Sequence, residues 1–138
     1  MNAAADSIFF KRTFDEVVGL LVETRAYLSN IDPARLPGLT PEERLQSSAE
    51  SMRVTARLAQ IMSWMLAQKA AAAGEISLAE ASGPSFAVPD DPTCLAETDT
   101  QASRLPPDLL DLMDRSRRLY VRVKHLNGLV VRSLANAG

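Results

Sequence analysis

The stretch from Pro41 to Ala73, PEERLQSSAESMRVTARLAQIMSWMLAQKAAAA, contains no glycine and no proline after its first residue. Thr40 stands before it as an N-cap, Pro41 takes the first helical position, Glu43 completes a capping box and Gly74 ends the run. At 1.5 Å per residue a helix of this length reaches about 50 Å, which suits a helical bundle or a coiled coil. Arg53, Arg57, Gln60, Gln68 and Lys69 lie within it, so it is not a membrane span.

Two apolar stripes run along this helix. Leu45, Met52, Ala59, Leu66 and Ala73 recur every seven residues, beside a ridge of small side chains at Ala49, Ala56, Ser63 and Ala70. Val54, Leu58, Ile61 and Met65 form a second stripe, turned away from the first. Gln46, Glu50, Arg53, Arg57 and Gln60 read as the wet face. Trp64 falls on the heptad line of Glu43, Glu50 and Arg57, where it either caps the bundle end or anchors a partner.

Two further helices flank this one. The first is expected over 13–28, TFDEVVGLLVETRAYL, with Thr13 and Glu16 as a capping box and Phe14, Val17, Val18, Leu21 and Leu28 at helical spacing. A tight connection with Pro33, Pro37 and Gly38 follows it. The third starts at Pro106–Pro107 and runs to 127 or beyond, with Leu109, Leu112, Ser116, Leu119, Val123, Leu126 and Val130 in one stripe. Its acids Asp108, Asp111 and Asp114 precede Arg118, Arg122 and Lys124, which complements the helix dipole. Between the second and third helices, residues 75–104 carry Glu75, Glu80, Asp90, Asp91, Glu97 and Asp99, with no lysine or arginine before Arg104. Pro84, Pro89 and Pro92 break this segment, which reads as an acidic, mobile loop. Ser77, three residues before Glu80, offers the start of a short helical turn.

Nothing alternates as a strand does. The expected fold is therefore all-α: a single domain over 1–138, an antiparallel three-helix bundle with a very long second helix. Such a bundle buries one stripe per helix, and the second helix has one to spare. The spare stripe predicts a homodimer, with twofold symmetry as the common case and Val54, Leu58, Ile61 and Met65 as the dimer contact. The alternative is that a kink, or a turn of the acidic segment, covers that face.

Composition narrows the function. Charged residues make up 23% and apolar ones 46%, a globular balance, and the net charge of −2 argues against a chain devoted as a whole to nucleic acid. One cysteine, Cys94, allows no internal disulfide and fits a reducing compartment. The opening residues MNAAADSIFFKRTFDE lack the features of a secretory signal, so the expected location is cytoplasmic. His125 is the only histidine, which leaves no histidine pair for a metal. Cys94 lies in an acidic segment that does not activate a thiol, and the glycines are isolated rather than gathered into a phosphate cradle. No catalysis, cofactor or metal is expected.

The basic cluster Arg115, Arg117, Arg118, Arg122, Lys124 and Arg132 is the feature closest to a nucleic-acid signal. It wraps round its helix, and Tyr120 is the one aromatic residue within it. No helix-turn-helix spacing accompanies it. It reads as a solvated face paired with acids on neighbouring helices, or as a protein-binding surface. Candidate partner contacts are Arg53, Arg57, Arg118 and Arg122, with Trp64 and Tyr120 as aromatic anchors. Two other functions stay open on these residues: a DNA-associated regulator using the basic third helix, and a purely structural homodimeric bundle.

Three stretches resemble the regulator of CtrA degradation (RcdA) family of alphaproteobacteria: TFDEVVGLLVETRAYL, LTPEERLQSSAESMRVTARLAQIMSWMLAQKAAAAGEIS and LPPDLLDLMDRSRRLYVRVKHL. RVTARLAQIMSW followed by GEIS is the most specific part. The resemblance implies a homodimer of three-helix bundles without catalytic activity. It implies an adaptor for the AAA+ protease ClpXP, acting in the cell cycle with the response regulator CpdR. It further implies recruitment of the cyclic-di-GMP-binding protein PopA, delivery of substrates including CtrA, and concentration at a cell pole. A flexible C-terminal tail used in delivery belongs to the family, and here the chain reads RSLANAG at its end, at most a very short tail.

Overall fold

The computed structural model describes residues 3–31, 38–97 and 104–137, with side chains from Ile8 onward. Pro33, Pro37 and Asp99 of the two connections, and the final glycine, lie outside the described residues. Within them the chain forms helices α1 (Ala3–Ser29), α2 (Pro41–Ala72), α3 (Leu78–Ala81), α4 (Pro92–Leu95) and α5 (Pro107–Ala137). Every described element is helical.

The start of α2 follows from three side chains. The Thr40 hydroxyl accepts from the Glu43 backbone N–H at 3.1 Å, and the Thr40 N–H donates to the Glu43 carboxylate at 3.1 Å. Pro41 supplies a fixed φ where no N–H is needed. At the other end Gly74 takes φ +78°, a left-handed turn that lets Glu75 donate back to the Ala70 carbonyl at 2.9 Å. The first helix starts earlier than the sequence suggested. Thr13 lies inside it, and its hydroxyl donates to the Phe9 carbonyl at 3.1 Å instead of capping a terminus. The buried line of α1 is Thr13, Val17, Leu20 and Thr24, while Val18, Val22 and Leu28 face outward. The α5 helix continues through Asn127–Gly128, and its Leu109, Leu112, Ser116, Leu119 and Val123 are buried.

Cross-helix pairs give the directions. Glu16 meets Arg122 and Glu23 meets Arg115, so α1 runs antiparallel to α5. Lys69 sits over the Phe14 ring at 4.3 Å, whereas Tyr27 meets Ser47, so α1 runs antiparallel to α2 as well. Arg57 meets Ser116 and Trp64 meets Asn127, which makes α2 and α5 parallel to each other. The antiparallel arrangement therefore holds for α1 against its two neighbours and not for α2 against α5. Residues 75–97 between them carry the chain back along the bundle, past Lys124 and Tyr120 to Arg57 and Arg117.

That return segment is not the loose loop its charges suggest. Ser77 and Glu80 close a reciprocal capping box on α3, and Asp91 caps α4 by accepting from the Thr93 N–H at 2.8 Å. Its apolar residues Ala81, Val88, Cys94 and Leu105 are buried against the bundle, while Glu75, Glu80, Asp90 and Glu97 stay in water. The acids thus occupy the outer side of a strap whose inner side is apolar.

Candidate functional site

Val54, Leu58, Ile61 and Met65 are at most 1% exposed within the single chain. They pack with Val17, Leu20, Leu119 and Val123 as the core of the bundle, so they are not available to a second copy. The assignment of this stripe to a dimer contact is overturned. Burying each such side chain contributes about 1.5–3 kcal/mol, and the fold uses them to hold α1, α2 and α5 together.

The apolar stripe left in water is the other one. Leu45 is 72% exposed, Met52 73% and Leu66 52%. Ala49, Ala59 and Ser63 lie exposed between them, with Ala56 half-buried. Beside this stripe, α1 presents Val18, Val22 and Leu28, and a shallow groove between the helices is lined by Leu21, Thr24, Leu28, Thr55 and Leu58. Arg25 and Ser29 also line this groove, so the apolar surface is confined to the α2 stripe itself, and an exposed apolar stripe is a usual mark of a protein contact.

Of the face read as wet, Gln46 is exposed and Arg53 and Gln60 are half-buried, but Glu50 and Arg57 are buried. Arg57 is 2% exposed, and its guanidinium reaches four acceptors: the Cys94 carbonyl at 2.7 Å, the Ala96 carbonyl at 2.9 Å, the Met113 carbonyl at 3.1 Å and the Ser116 hydroxyl at 3.2 Å. Burial, then the neighbouring Arg53, lowers its pKa from the ordinary arginine value. Trp64 is 3% exposed and donates its indole N–H to the Asn127 side-chain oxygen at 2.8 Å. Tyr120 is buried, and its hydroxyl donates to the Pro89 carbonyl at 2.6 Å. Arg57, Trp64 and Tyr120 are therefore internal clasps, not partner contacts on exposed faces. Arg57 and Tyr120 tie α4 and Pro89 onto α2 and α5, and Trp64 ties α2 to α5.

Of the other expected partner residues, Arg53 is half-buried and pairs with the buried Glu50 at 2.8 Å. Arg118 and Arg122 are exposed and paired with Asp114 and Glu16. The rest of the basic cluster is similarly occupied: Arg115 by Glu23 and Asp111, Arg117 by Glu97, and Lys124 by Asp90. Arg132 has no carboxylate partner among the described residues, and His125 lies one turn before Gly128 on the same exposed strip. This pairing neutralises most of the stripe that would otherwise suit phosphates.

Among the described residues no three His, Cys, Asp or Glu side chains are grouped to hold a metal. Cys94 is buried, and burial, then the Asp91 carboxylate, pushes its thiol pKa up. No described helix is long and apolar enough to cross a membrane.

The sequence contained a signal for the Arg57 clasp. Polar Ser116 and Asn127 interrupt an otherwise apolar face of α5, and each supplies the acceptor for one polar residue on the Glu50–Arg57–Trp64 line. The acceptors from Cys94 and Ala96 are backbone carbonyls, which leave no trace in residue identity.

The arrangement defines an all-α bundle whose prominent surface features are apolar and charged helix faces. Residues 1–137 match the family described as protein of unknown function DUF1465, and the chain belongs to that family. Among solved structures it is similar to RcdA from Caulobacter crescentus CB15, at 36% identity and a TM-score of 0.65 over 88% of this chain and 89% of that one. No curated protein matches the chain. The family match indicates no catalytic family.

Proposed function

We propose that this chain is a non-catalytic adaptor that delivers cell-cycle regulatory proteins such as CtrA to the ClpXP protease. In this reading it acts through CpdR and with PopA, in the cytoplasm and concentrated at a cell pole. The observation that carries the reading is the 36% identity to RcdA along nearly the whole bundle. A prominent uncovered apolar face on α2 supports it, since an adaptor works by presenting surfaces.

The homodimer belongs to the same reading, with its contact moved to the outer stripe of α2. That stripe is self-complementary about a point between Thr55 and Ala56. An antiparallel copy sets Leu45 opposite Leu66, Ser48 opposite Ser63, and the long Met52 opposite the small Ala59. A twofold interface needs this matching of one patch to itself. No charged residue falls on the line Leu45, Ser48, Met52, Thr55, Ala59 and Leu66, so no like charges meet.

The test is a reconstituted ClpXP degradation assay with CtrA, CpdR and PopA, run with and without this chain. Faster loss of CtrA only when the chain is present supports the adaptor. Unchanged degradation in every combination sinks it. Sedimentation of the wild-type chain addresses the dimer, and a folded monomer at all concentrations would remove that part alone.

A further inference from the structure

The C-terminal half of α5 carries a groove that none of the clasps uses. It is a cleft of about 500 Å³ between α4 and α5, lined by Leu95, Val121, Lys124, His125, Gly128 and Arg132. Leu95, Val121 and Gly128 make an apolar floor, and the three basic side chains stand along it. Gly128 keeps the floor low, since a Cβ there would meet nothing within 4 Å.

The charge in this groove is less compensated than elsewhere on the helix. Arg115, Arg117, Arg118 and Arg122 each have a carboxylate at salt-bridge distance. In the groove Lys124 meets Asp90 at 3.2 Å, a pair as open to water as that of Arg117 with Glu97, and it is Arg132 that meets no carboxylate among the described residues. An ion pair that open to water is weak and readily exchanged. The helix dipole does not account for Arg132, because its effect is confined to the last turn and the last turn of α5 holds no basic residue.

From this we propose that the groove binds a short acidic segment of a partner protein, in extended form, with one apolar side chain seated on Leu95, Val121 and Gly128. Its carboxylates exchange with Asp90 at Lys124 and pair with Arg132. The groove follows α5 from Val121 to Arg132, about 16 Å at 1.5 Å per residue, which equals about five residues of extended chain. The proposal deepens the adaptor reading, naming the chemistry of one partner, and rests on it only for the existence of that partner.

The test is fluorescence anisotropy with the labelled pentapeptide Glu-Asp-Leu-Glu-Asp, against Gln-Asn-Leu-Gln-Asn and Glu-Asp-Ser-Glu-Asp. The acidic leucine peptide should bind the full chain with a Kd on the order of 10⁻⁴ M, weakening as salt is raised. The other two peptides should bind less tightly. Arg132→Glu should weaken binding about fivefold, the size expected for reversing one exposed charge. Gly128→Leu should abolish binding by filling the floor, while an unchanged circular dichroism spectrum shows that the helix is intact. Equal binding of the acidic and amide peptides overturns the proposal, as does no binding at about 1 mM. Indifference to both substitutions overturns it too. A DNA duplex that displaces the peptide and shares its dependence on Gly128 assigns the groove to phosphates and equally overturns it. The assay contains no protease and no CtrA, so its failure and that of the adaptor reading are separate results.

Discussion

The two faces of α2 invert what their residues suggest. One face carries Glu50, Arg57 and Trp64 beside Val54, Leu58, Ile61 and Met65, and all of these are buried. The other carries Leu45, Met52 and Leu66, and all of these are exposed. A buried arginine and an exposed methionine on one helix are each costly alone, and each has its own explanation. Arg57 is tolerated because four oxygen acceptors surround its guanidinium, two of them the Cys94 and Ala96 carbonyls at the end of α4, which gain a donor in return. Met52 is tolerated because leaving one apolar side chain in water forgoes only its own burial, which a partner that covers it would restore. The inner face stabilises the chain, and the outer face is free to serve something else.

The sharpest way to break this contrast is to place a charge on each side in turn. Leu58→Asp puts an unpaired carboxylate in the core and should cost more than about 4 kcal/mol, read as loss of helicity or a collapse of the urea midpoint. Arg57→Ala comes next, at about 3 kcal/mol, because it strands the carbonyls of Cys94 and Ala96 and empties a fully buried side-chain site. Its effect should be local before it is global: the α4 strap loosens, and the buried Cys94 thiol becomes reactive toward a thiol reagent under native conditions. A Cys94 that reacts at the same slow rate in Arg57→Ala and wild type would show that the clasp does not hold the strap. Trp64→Phe keeps the ring and removes the N–H donated to Asn127, and should cost about 1–2 kcal/mol in a denaturant titration.

The helical architecture was legible because caps and periodicity are local. Thr40, Pro41, Glu43 and Gly74 mark the ends of α2 by chemistry that acts within a turn. The α5 stripe was legible for the same reason. What the sequence did not disclose was which of two apolar stripes faces in, since that depends on where α4 and α5 lie. Reading Arg57 as wet was reasonable from its charge alone. Its burial depends on carbonyls that are distant along the chain and carry no identity in the sequence. The return strap was hidden likewise: its acids dominate its composition, while the spaced Ala81, Val88 and Cys94 decide its packing. Thr13 misled for a related reason, because a Thr three residues before a Glu looks the same at a helix start and inside a helix.

The smallest effect on stability is expected on the outer face, and it carries the most functional information. Met52→Lys adds a charge where the side chain is already 73% exposed, so the dilute chain should change by less than about 0.5 kcal/mol in a urea titration. At high protein concentration the same substitution should abolish self-association in sedimentation, because two copies of the lysine would be buried symmetrically against the partner's Ala59. Leu66→Lys should do the same, as it faces Leu45 of the other copy in the antiparallel arrangement. The pair of measurements separates the faces. A charge that costs folding at position 58 and costs only association at 52 assigns one stripe to the chain itself and the other to its partner. If Met52→Lys destabilises the dilute chain as much as Trp64→Phe does, the outer stripe is part of the fold, and the division of α2 into two tasks fails.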